Sequence, residues 1–470
     1  MIKKVNLGYK YRIYPKAEQK TILNHQMFVY NQAYNICLNL WKKEQIKNKN
    51  LEKEEKTYRS AVSYDKVVKR ALSYRKIEFK TVVTQQARRN FFTAKSKAFT
   101  SESIAKRTKA INQAQTPKEK IKAYNLGMPT FKSSKLPNQS FNWNNQGYQL
   151  KNNNDKFKIL RIMRNDIKIR FHRELPKNFK LSSITISKDS NQYYLSLGIE
   201  FEKEVGLAIS TKNLDITNSI GIDLNGYSIA ISSNAEDIFK NKHNHQIEIT
   251  LEHLINNGAN SRKKAKQTKN IKILEKKQSR RVLNSKANKL KLGKNHKKSQ
   301  AKLNKKSKKI SNQKKDLYHK ISKTLTDKFE LIVVEDLKTK NMSKSAKGNE
   351  INHGKMIKQK SGLNRTILNA SFYQFVAMLQ YKQTMLNDKL FVKVNPAYTS
   401  LECSQCGNRD KKNRPKQDKF KCTQCDYAVN PDIQASKTIL KRGFESFGLG
   451  TNLVDLKRKV FRSASKEVAS

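Results

Sequence analysis

Acidic residues are scarce. The 470-residue chain carries 38 Asp and Glu against 98 Lys and Arg, a net charge of +60. Self-repulsion of that size excludes an ordinary small-molecule enzyme and calls for a polyanion partner, with nucleic acid the default candidate. Apolar residues are also few, at 36%. A disordered polycation is nevertheless excluded, because 20 Phe, 18 Tyr and 2 Trp supply too many aromatics for one. No apolar run approaches the length of a membrane span. The N-terminal residues Met1 to Asn6 show no apolar stretch of the signal-peptide kind, so a soluble protein of a reducing, intracellular compartment is expected. Cysteine is rare too: Cys37, Cys403, Cys406, Cys422 and Cys425. Four of the five lie close together, which excludes a disulfide framework and suggests a metal site.

Periodicity divides the chain. Tyr9 to Tyr14 reads as a strand, followed by Pro15 at a helix start. Leu23, Met27, Tyr30, Tyr34, Cys37, Leu38 and Trp41 recur in steps of three and four, the stripe of an amphipathic helix. Cys37 falls on that stripe and is expected in the core. Helical sequence continues to about Tyr124, with Val82–Phe92 as one helix and Thr100–Lys122 polar and partly mobile. Beyond Gly127 the period becomes two: Phe157 and Ile159; Ile167, Ile169 and Phe171; Ile184 and Ile186; then Tyr193 to Phe201. That pattern predicts an antiparallel, β-barrel-like sheet, with the N-terminal strand joining it and the helices inserted. Ile220 to Leu224 and Tyr227 to Ile231 flank Asn225-Gly226 and predict a hairpin. Leu331–Val334 predicts a buried strand, Asn369–Leu386 a helix and Leu390–Val394 a further strand, so this part is an α/β domain.

Between Gly258 and Lys320 stand 24 Lys or Arg and two acids, Glu275 and Asp316. Leu303, Ile310, Leu317, Ile321 and Leu325 form a narrow apolar stripe, and Gly293 marks a turn between two helices. Two readings fit this block: a solvated, charged helix pair, or one that tracks a phosphate backbone.

Two constellations carry chemistry. Cys403-x-x-Cys406 and Cys422-x-x-Cys425 are two knuckles with 15 residues between them, the spacing of a four-cysteine zinc ribbon. Four thiolates close the coordination sphere, so the site is structural. The basic loop Arg409–Arg414 suits nucleic acid. Three acids stand out by position: Asp223 in the hairpin strand, Glu335 at a strand end and Asp432 at the start of a helix. Taken singly, each has an ordinary explanation as a turn, strand-end or helix-dipole acid. Together they can hold two divalent ions, Mg2+ or Mn2+, for phosphodiester hydrolysis. Their order is that of an RNase H-like nuclease core.

At these residues the chain resembles the transposon-encoded TnpB proteins and the compact type V CRISPR effectors. The matching segments are Tyr11–Pro15, Gly127–Lys132, Gly221–Leu224, Val334–Leu337, Tyr398–Ser400 before the first knuckle, and Asp432 after the second. The resemblance implies an RNA-guided DNA endonuclease: a multidomain α+β protein with a β-barrel-like wedge domain, a helical recognition insertion, and an RNase H-like (RuvC) α/β domain with a zinc-ribbon insertion. The implied layout is wedge 1–20, helical lobe 21–126, wedge 127–212, nuclease domain 213–398 with the basic insert 258–328, zinc ribbon 399–427, and a C-terminal nuclease part 428–470. Asp223, Glu335 and Asp432 correspond to the family's carboxylates with Mg2+ or Mn2+, and the four cysteines to its Zn2+ ligands. Implied nucleic-acid contacts are Lys10, Arg12, Arg88, Arg89, Lys132, Arg280, Arg281, Lys305, Lys306, Arg409 and Arg414. Implied partners are a guide RNA, either a right-end transposon RNA or a CRISPR guide, and double-stranded target DNA, in a prokaryotic cytoplasm or nucleoid. Monomer and dimer are both open. A guided binder without catalysis and a nucleic-acid-packaging ribbon protein are the competing classes. The chain departs from the family's Asp-x-Asn-Ala-Ala pattern, with Gln434 and Ser436 after Asp432. Asn225 stands where Gly is common.

Overall fold

The computed structural model describes residues 2–448 apart from 53, 135, 137, 144–147, 155–156, 177, 191, 205–213, 215–216, 226–227, 232–248, 251–260, 289–291, 349–351, 387–388 and 417. The predicted turn at Gly226 and the junction at 212/213 lie outside the described residues. The chain divides between Glu204 and Val205 into two compact units.

The first unit begins with strand β1 (Ile2–Tyr14), then helices α1 (Ala17–Lys47), α2 (Ala61–Tyr74), α3 (Thr81–Ala98), α4 (Ser101–Asn112) and α5 (Pro117–Tyr124). Strands β2 (Gln139–Trp143), β3 (Tyr148–Asn154), β4 (Phe157–Ile162), β5 (Asn165–Arg170), β6 (Lys180–Asp189) and β7 (Gln192–Glu204) follow. They form one sheet in the order β2-β6-β7-β1-β5-β4-β3, in which every pairing is antiparallel. The N-terminal strand therefore does join the sheet, and the helices are an insertion between its strands. Strands β2 and β3 stand at opposite ends of the order, so hydrogen bonding leaves the sheet open among the described residues rather than closing a barrel.

The predicted stripe of α1 is buried at all seven positions, Cys37 included. Burial pushes the Cys37 thiol up to about 12, which makes it inert. Phe91 is buried edge-on to Tyr34 and beside Tyr64, so its role is packing. The polar stretch 100–122 is largely helical, as the sequence reading to about Tyr124 expects. Thr100 caps α4, and Thr116 with Glu119 makes a reciprocal capping box at α5 behind Pro117. In β4 the buried residues are Leu160 and Ile162, not Phe157 and Ile159. Pairing places Leu160 opposite the buried Ile167, and that register decides the face.

The second unit contains β8 (Ser219–Leu224), β9 (Ser228–Ile231), β10 (Ile249–Thr250), α6 (Ser261–Ala287), α7 (Lys294–Lys328), β11 (Leu331–Glu335), α8 (Ile357–Ala370), α9 (Phe372–Tyr381), β12 (Leu390–Val394), β13 (Phe420–Lys421), β14 (Ala428–Val429) and α10 (Pro431–Glu445). Its main sheet runs β10-β9-β8-β11-β12. The first three strands are antiparallel neighbours, whereas β11 is parallel to both β8 and β12. Every residue of β8 and β11 is buried. Ile220, Ile222, Ile332 and Val334 face Tyr318, Ile321 and Leu325 of α7 and Phe375 and Leu379 of α9. On the opposite face, Leu331 and Val333 meet Ile439, Leu440 and Phe444 of α10.

The helix predicted over Asn369–Leu386 starts earlier and is broken. Ser371 takes a left-handed conformation (φ 53°) between α8 and α9, and a π-helical turn at Lys382–Leu386 ends the segment. Distant side chains take up the freed carbonyls: Lys314 donates to Asn369 and Tyr318 to Ala370. Among the described residues, no helix is long and apolar enough to cross a membrane.

Helix α10 lies close against the sheet because two glycines admit it. A Cβ at Gly221 would lie 2.7 Å from the Leu440 nitrogen and closer still to the Ser436 carbonyl, and one at Gly443 would lie 2.9 Å from a Val333 methyl. Gly221→Ala should therefore destabilise the protein by about 1–3 kcal/mol in chemical denaturation. Gly362→Ala, on a helix with nothing within 4 Å, should instead stabilise it by about 0.5–1 kcal/mol.

Candidate active site and four-cysteine ribbon

Strand alternation decides where the acids point. Gly221 and Asp223 share one face of β8, and Val333 and Glu335 share the same face of β11, with Val333 opposite Gly221 in the parallel register. That is the face on which α10 packs. Asp432 sits in the first turn of α10, behind Pro431, where Asn430 caps the helix by accepting from the Asp432 and Ile433 amides at 2.8 and 3.4 Å. Asp223 and Glu335 are each only 8% exposed.

The three acids feel one another. Burial pushes the Asp223 carboxyl up to about 7, and the charges of Glu335 and Asp432 add to the rise against the Leu224 amide and Arg414. Burial also raises Glu335, opposed by a hydrogen bond from Thr399 and by the charge of Arg442. Thr399 Oγ1 donates to Glu335 Oε1 at 2.6 Å. Two buried carboxylates beside the half-buried Asp432 are a donor set that a cation would satisfy, and their hard oxygens fit Mg2+ or Mn2+.

The four cysteine sulfurs converge. Cys403 and Cys425 are 3.7 Å apart, Cys406 and Cys422 are 3.5 Å apart, and all four lie within 4.8 Å of one another. A tetrahedron of thiolates at ~2.3 Å from zinc has sulfur spacings of about 3.8 Å, so the cluster fits that ion. Among the described residues, these four alone bring three or more such ligand atoms that close, so the carboxylates form a looser group. Each knuckle is a tight turn: Gly407 (φ 80°) follows the first, Asp426 (φ 54°) the second, and the Cys403 and Cys422 amides donate to the Asn408 and Tyr427 carbonyls. Although burial raises the Cys422 thiol, the Gln424 and Cys425 amides and neighbouring thiols bring it down to about 6. Against the Tyr427 amide, burial and the same sulfur–sulfur contacts raise Cys425, and burial raises Cys403, so the four thiols share their protons and a metal would displace them.

Several site residues escaped the sequence reading. Asn413, within the loop read only as basic, is fully buried and ties the knuckles together. It donates to the Leu401 and Asn408 carbonyls and accepts from the Thr423 amide. Gln434, the departure from the family pattern, is fully buried. It accepts from Ser404 Oγ at 2.9 Å and donates to the Glu402 carbonyl at 2.7 Å, so it seats α10 on the first knuckle. Glu402 accepts from Arg409 and Arg442 at 2.8 and 2.7 Å, and those two partners hold its carboxyl below the ordinary range despite burial. The sequence signal available for this clamp was an acid, Glu402, directly before the first cysteine of the ribbon in a strongly basic chain.

The basic residues singled out from sequence are scattered. Lys10 and Arg12 lie on the exposed face of β1, with Lys10 over the Tyr194 ring and Arg12 over Tyr14. Arg88 is engaged internally by Asp65 and the Ala61 carbonyl, while Arg89 is exposed. Lys132 is half-buried over the rings of Tyr30 and Tyr34. Arg280 on α6 and Lys305 and Lys306 on α7 are exposed, and Arg281 is half-buried and reaches the Asn295 carbonyl. Arg409 is committed to Glu402 and stacks on Tyr398. Arg414 is half-buried, and its charge reaches Asp223.

Comparison with known proteins follows these features. The family model "Cas12f1-like, TNB domain" matches residues 372–439, the segment that contains the ribbon. A model described as "Helix-turn-helix domain" matches residues 1–50, although here those residues form a strand and one long helix. The chain is 29% identical over 270 residues to the putative RNA-guided DNA endonuclease InsQ of Escherichia coli (strain K12), a match that spans 57% of this chain and 58% of that protein. It is 24% identical to a putative RNA-guided DNA endonuclease of Streptomyces pristinaespiralis over 96% of this chain and 93% of the relative. It is 38% identical over 76 residues to the CRISPR-associated endodeoxyribonuclease Cas12f1 of Sulfoacidibacillus thermotolerans, 16% of this chain and 18% of that protein. A cryo-EM structure of a Cas12f1–sgRNA–target DNA complex aligns with a TM-score of 0.47 at 15% identity, covering 93% of this chain and 98% of that one. By its sequence matches, the chain is similar to proteins named as putative RNA-guided DNA endonucleases, and the segment that holds its ribbon matches the Cas12f1-like TNB model.

Proposed function

We propose that this protein is an RNA-guided DNA endonuclease of the TnpB type, with Asp223, Glu335 and Asp432 as its hydrolytic centre. The observation that carries the reading is the convergence of these acids on one face of a sheet ordered 3-2-1-4-5. Three antiparallel strands followed by two parallel ones is the arrangement of an RNase H-like nuclease domain, and the acids stand on the first strand, the fourth strand and the helix that covers them. The relatives named as RNA-guided DNA endonucleases support the same reading. The 76-residue match to Cas12f1 keeps a compact CRISPR effector of identical chemistry as the alternative.

In this reading residues 1–20 and 127–212 form the wedge and residues 21–126 the helical lobe, which together hold a guide RNA. Residues 213–398 and 428–470 form the nuclease domain, and 399–427 the zinc ribbon. Pairing of the guide with one DNA strand reads the sequence, while the protein contributes charge, shape and recognition of a short flanking motif. Asp223, Glu335 and Asp432 hold Mg2+ or Mn2+. When bound, such ions activate water and stabilise the leaving oxygen of a phosphodiester. The chain's own residues set the stage: Asp223 and Glu335 are largely shielded from solvent, and Thr399 donates a hydrogen bond to Glu335. Arg414 brings a positive charge near Asp223, where a phosphate would approach.

Cleavage of a plasmid that carries the flanking motif and target tests the assignment. Asp223→Ala should lower the cleavage rate by roughly 10³-fold or more while guided binding persists. Full activity in that variant would refute the hydrolytic centre.

The raised Asp223 also predicts a pH dependence. Its carboxyl moves from 3.8 when exposed to about 7 in the fold, so the folded state binds more protons between those values. Stability from this group is complete below pH 3.8 and is lost as pH rises through about 7. The melting temperature of the metal-free protein should fall across that window, and Asp223→Asn should flatten the fall. An equal slope in the two proteins would contradict it.

The ribbon should hold one Zn2+ per chain. Elemental analysis should show that ion lost in Cys422→Ser, and chelation should lower the melting temperature of the wild type but not of the variant.

A further inference from the structure

We propose that Thr399 is a positioning residue for Glu335. Its hydroxyl proton holds one carboxylate oxygen, Oε1, so that the other oxygen takes the divalent cation. The strap from Asn395 to Glu402 keeps that hydroxyl in place. The inference rests on the reading of Glu335 as a metal ligand.

The contact is short and buried. Thr399 Oγ1 lies 2.6 Å from Glu335 Oε1, across 64 residues of sequence. That length is at the short end for a hydroxyl donor and suits an ionised acceptor. Thr399 Oγ1 also lies 3.1 Å from the Pro396 carbonyl oxygen. A hydroxyl has one proton and cannot serve both acceptors. If the proton went to Pro396, lone pairs of Thr399 and of an ionised Glu335 would oppose each other at the shorter distance. With Glu335 ionised, as a cation ligand must be, the carboxylate takes the proton, and one of its oxygens is fixed.

The strap is pinned at both ends. Upstream, the Asp336 amide donates to the Val394 carbonyl at 2.9 Å, which continues the pairing of β11 with β12 up to the strap. Arg442 on α10 donates to the Asn395 and Ala397 carbonyls at 2.6 and 2.8 Å, and its other nitrogen holds Glu402. Downstream, the Glu402 carbonyl accepts from Gln434 and Thr438 of the same helix. Between these anchors Tyr398 is held at φ 65°, a conformation that a bulky residue adopts only when its surroundings enforce it. The Leu401 and Glu402 amides close on the Tyr398 carbonyl at 2.9 and 3.0 Å. That turn drops the next residue, Thr399, onto Glu335. The same helix thus carries Asp432 and anchors the strap that orients Glu335.

A hydrogen-bonded partner behind a metal ligand typically contributes 10- to 100-fold in metal affinity. The test uses the full, zinc-loaded chain and Mn2+ alone as probe, with bound ion measured by electron paramagnetic resonance and folding checked by melting. Thr399→Val keeps the shape but removes the proton and should weaken Mn2+ binding by roughly 10- to 100-fold. Thr399→Ser restores the proton and should bind close to wild type. The Mg2+ concentration that half-saturates cleavage should shift in the same order. If Thr399→Val does not fold, the smaller Thr399→Ala replaces it. Wild-type affinity in the proton-less variant overturns the inference, and so does equal weakening in the Ser and Val variants, which would indicate packing. Glu335→Gln separates the two layers: weakened Mn2+ binding there leaves the site reading standing whatever Thr399 does. Unchanged binding in Glu335→Gln overturns the site reading itself.

Discussion

The second unit depends on the close approach of one helix to one strand. Helix α10 can reach the sheet because β8 presents Gly221 where a side chain would strike the helix backbone. Gly443 makes the matching allowance on the helix, against Val333. With that approach secured, Asp432 arrives over the face that carries Asp223 and Glu335. The adjoining edge of α10, through Gln434, Thr438 and Arg442, becomes the seat of the ribbon. One packing contact therefore positions both the carboxylates and the four-cysteine cluster.

The electrostatics of this arrangement run against the rest of the chain. A net charge of +60 surrounds a small buried group of acids. Burial, with the charges of Glu335 and Asp432 added to it, raises the Asp223 carboxyl. The fold tolerates that because hydrophobic packing beneath them, from Leu331 and Val333 to Ile439 and Phe444, holds the elements together regardless of charge. A site kept in electrostatic debt binds cations more readily than one already satisfied by internal salt bridges. Glu402 is the contrast: its two arginines satisfy it fully, and it serves structure.

Much of this was legible in sequence because it is local. The α1 stripe, the strand at Leu331–Val334 and the two knuckles follow from spacing, and each fell where it was expected. Errors arose where a partner distant in sequence decided the outcome. The face of β4 was misjudged because Phe157, Ile159, Leu160 and Ile162 offer apolar residues on both sides, and only pairing with β5 selects one. The break at Ser371 depends on Lys314 and Tyr318, more than 50 residues away. The helical character of 100–122 was legible too, since its Thr caps and Pro117 are local signals, although those helices bury almost nothing.

The sequence by itself determined the chemistry available to this protein. It set which residues could bind metal, how the thiols are spaced, and a net charge of +60 that suits a polyanion, since residue type, short spacing and net charge need no fold to be read. Tertiary structure alone decided how those residues act together. Strand register placed Asp223 and Glu335 on a common face, glycine contacts let the helix bring Asp432 to them, and a strained turn laid Thr399 on Glu335. Those relations join points 64 to 209 residues apart along the chain. Packing, whose range is a few ångströms in space, is the physical interaction that can specify them.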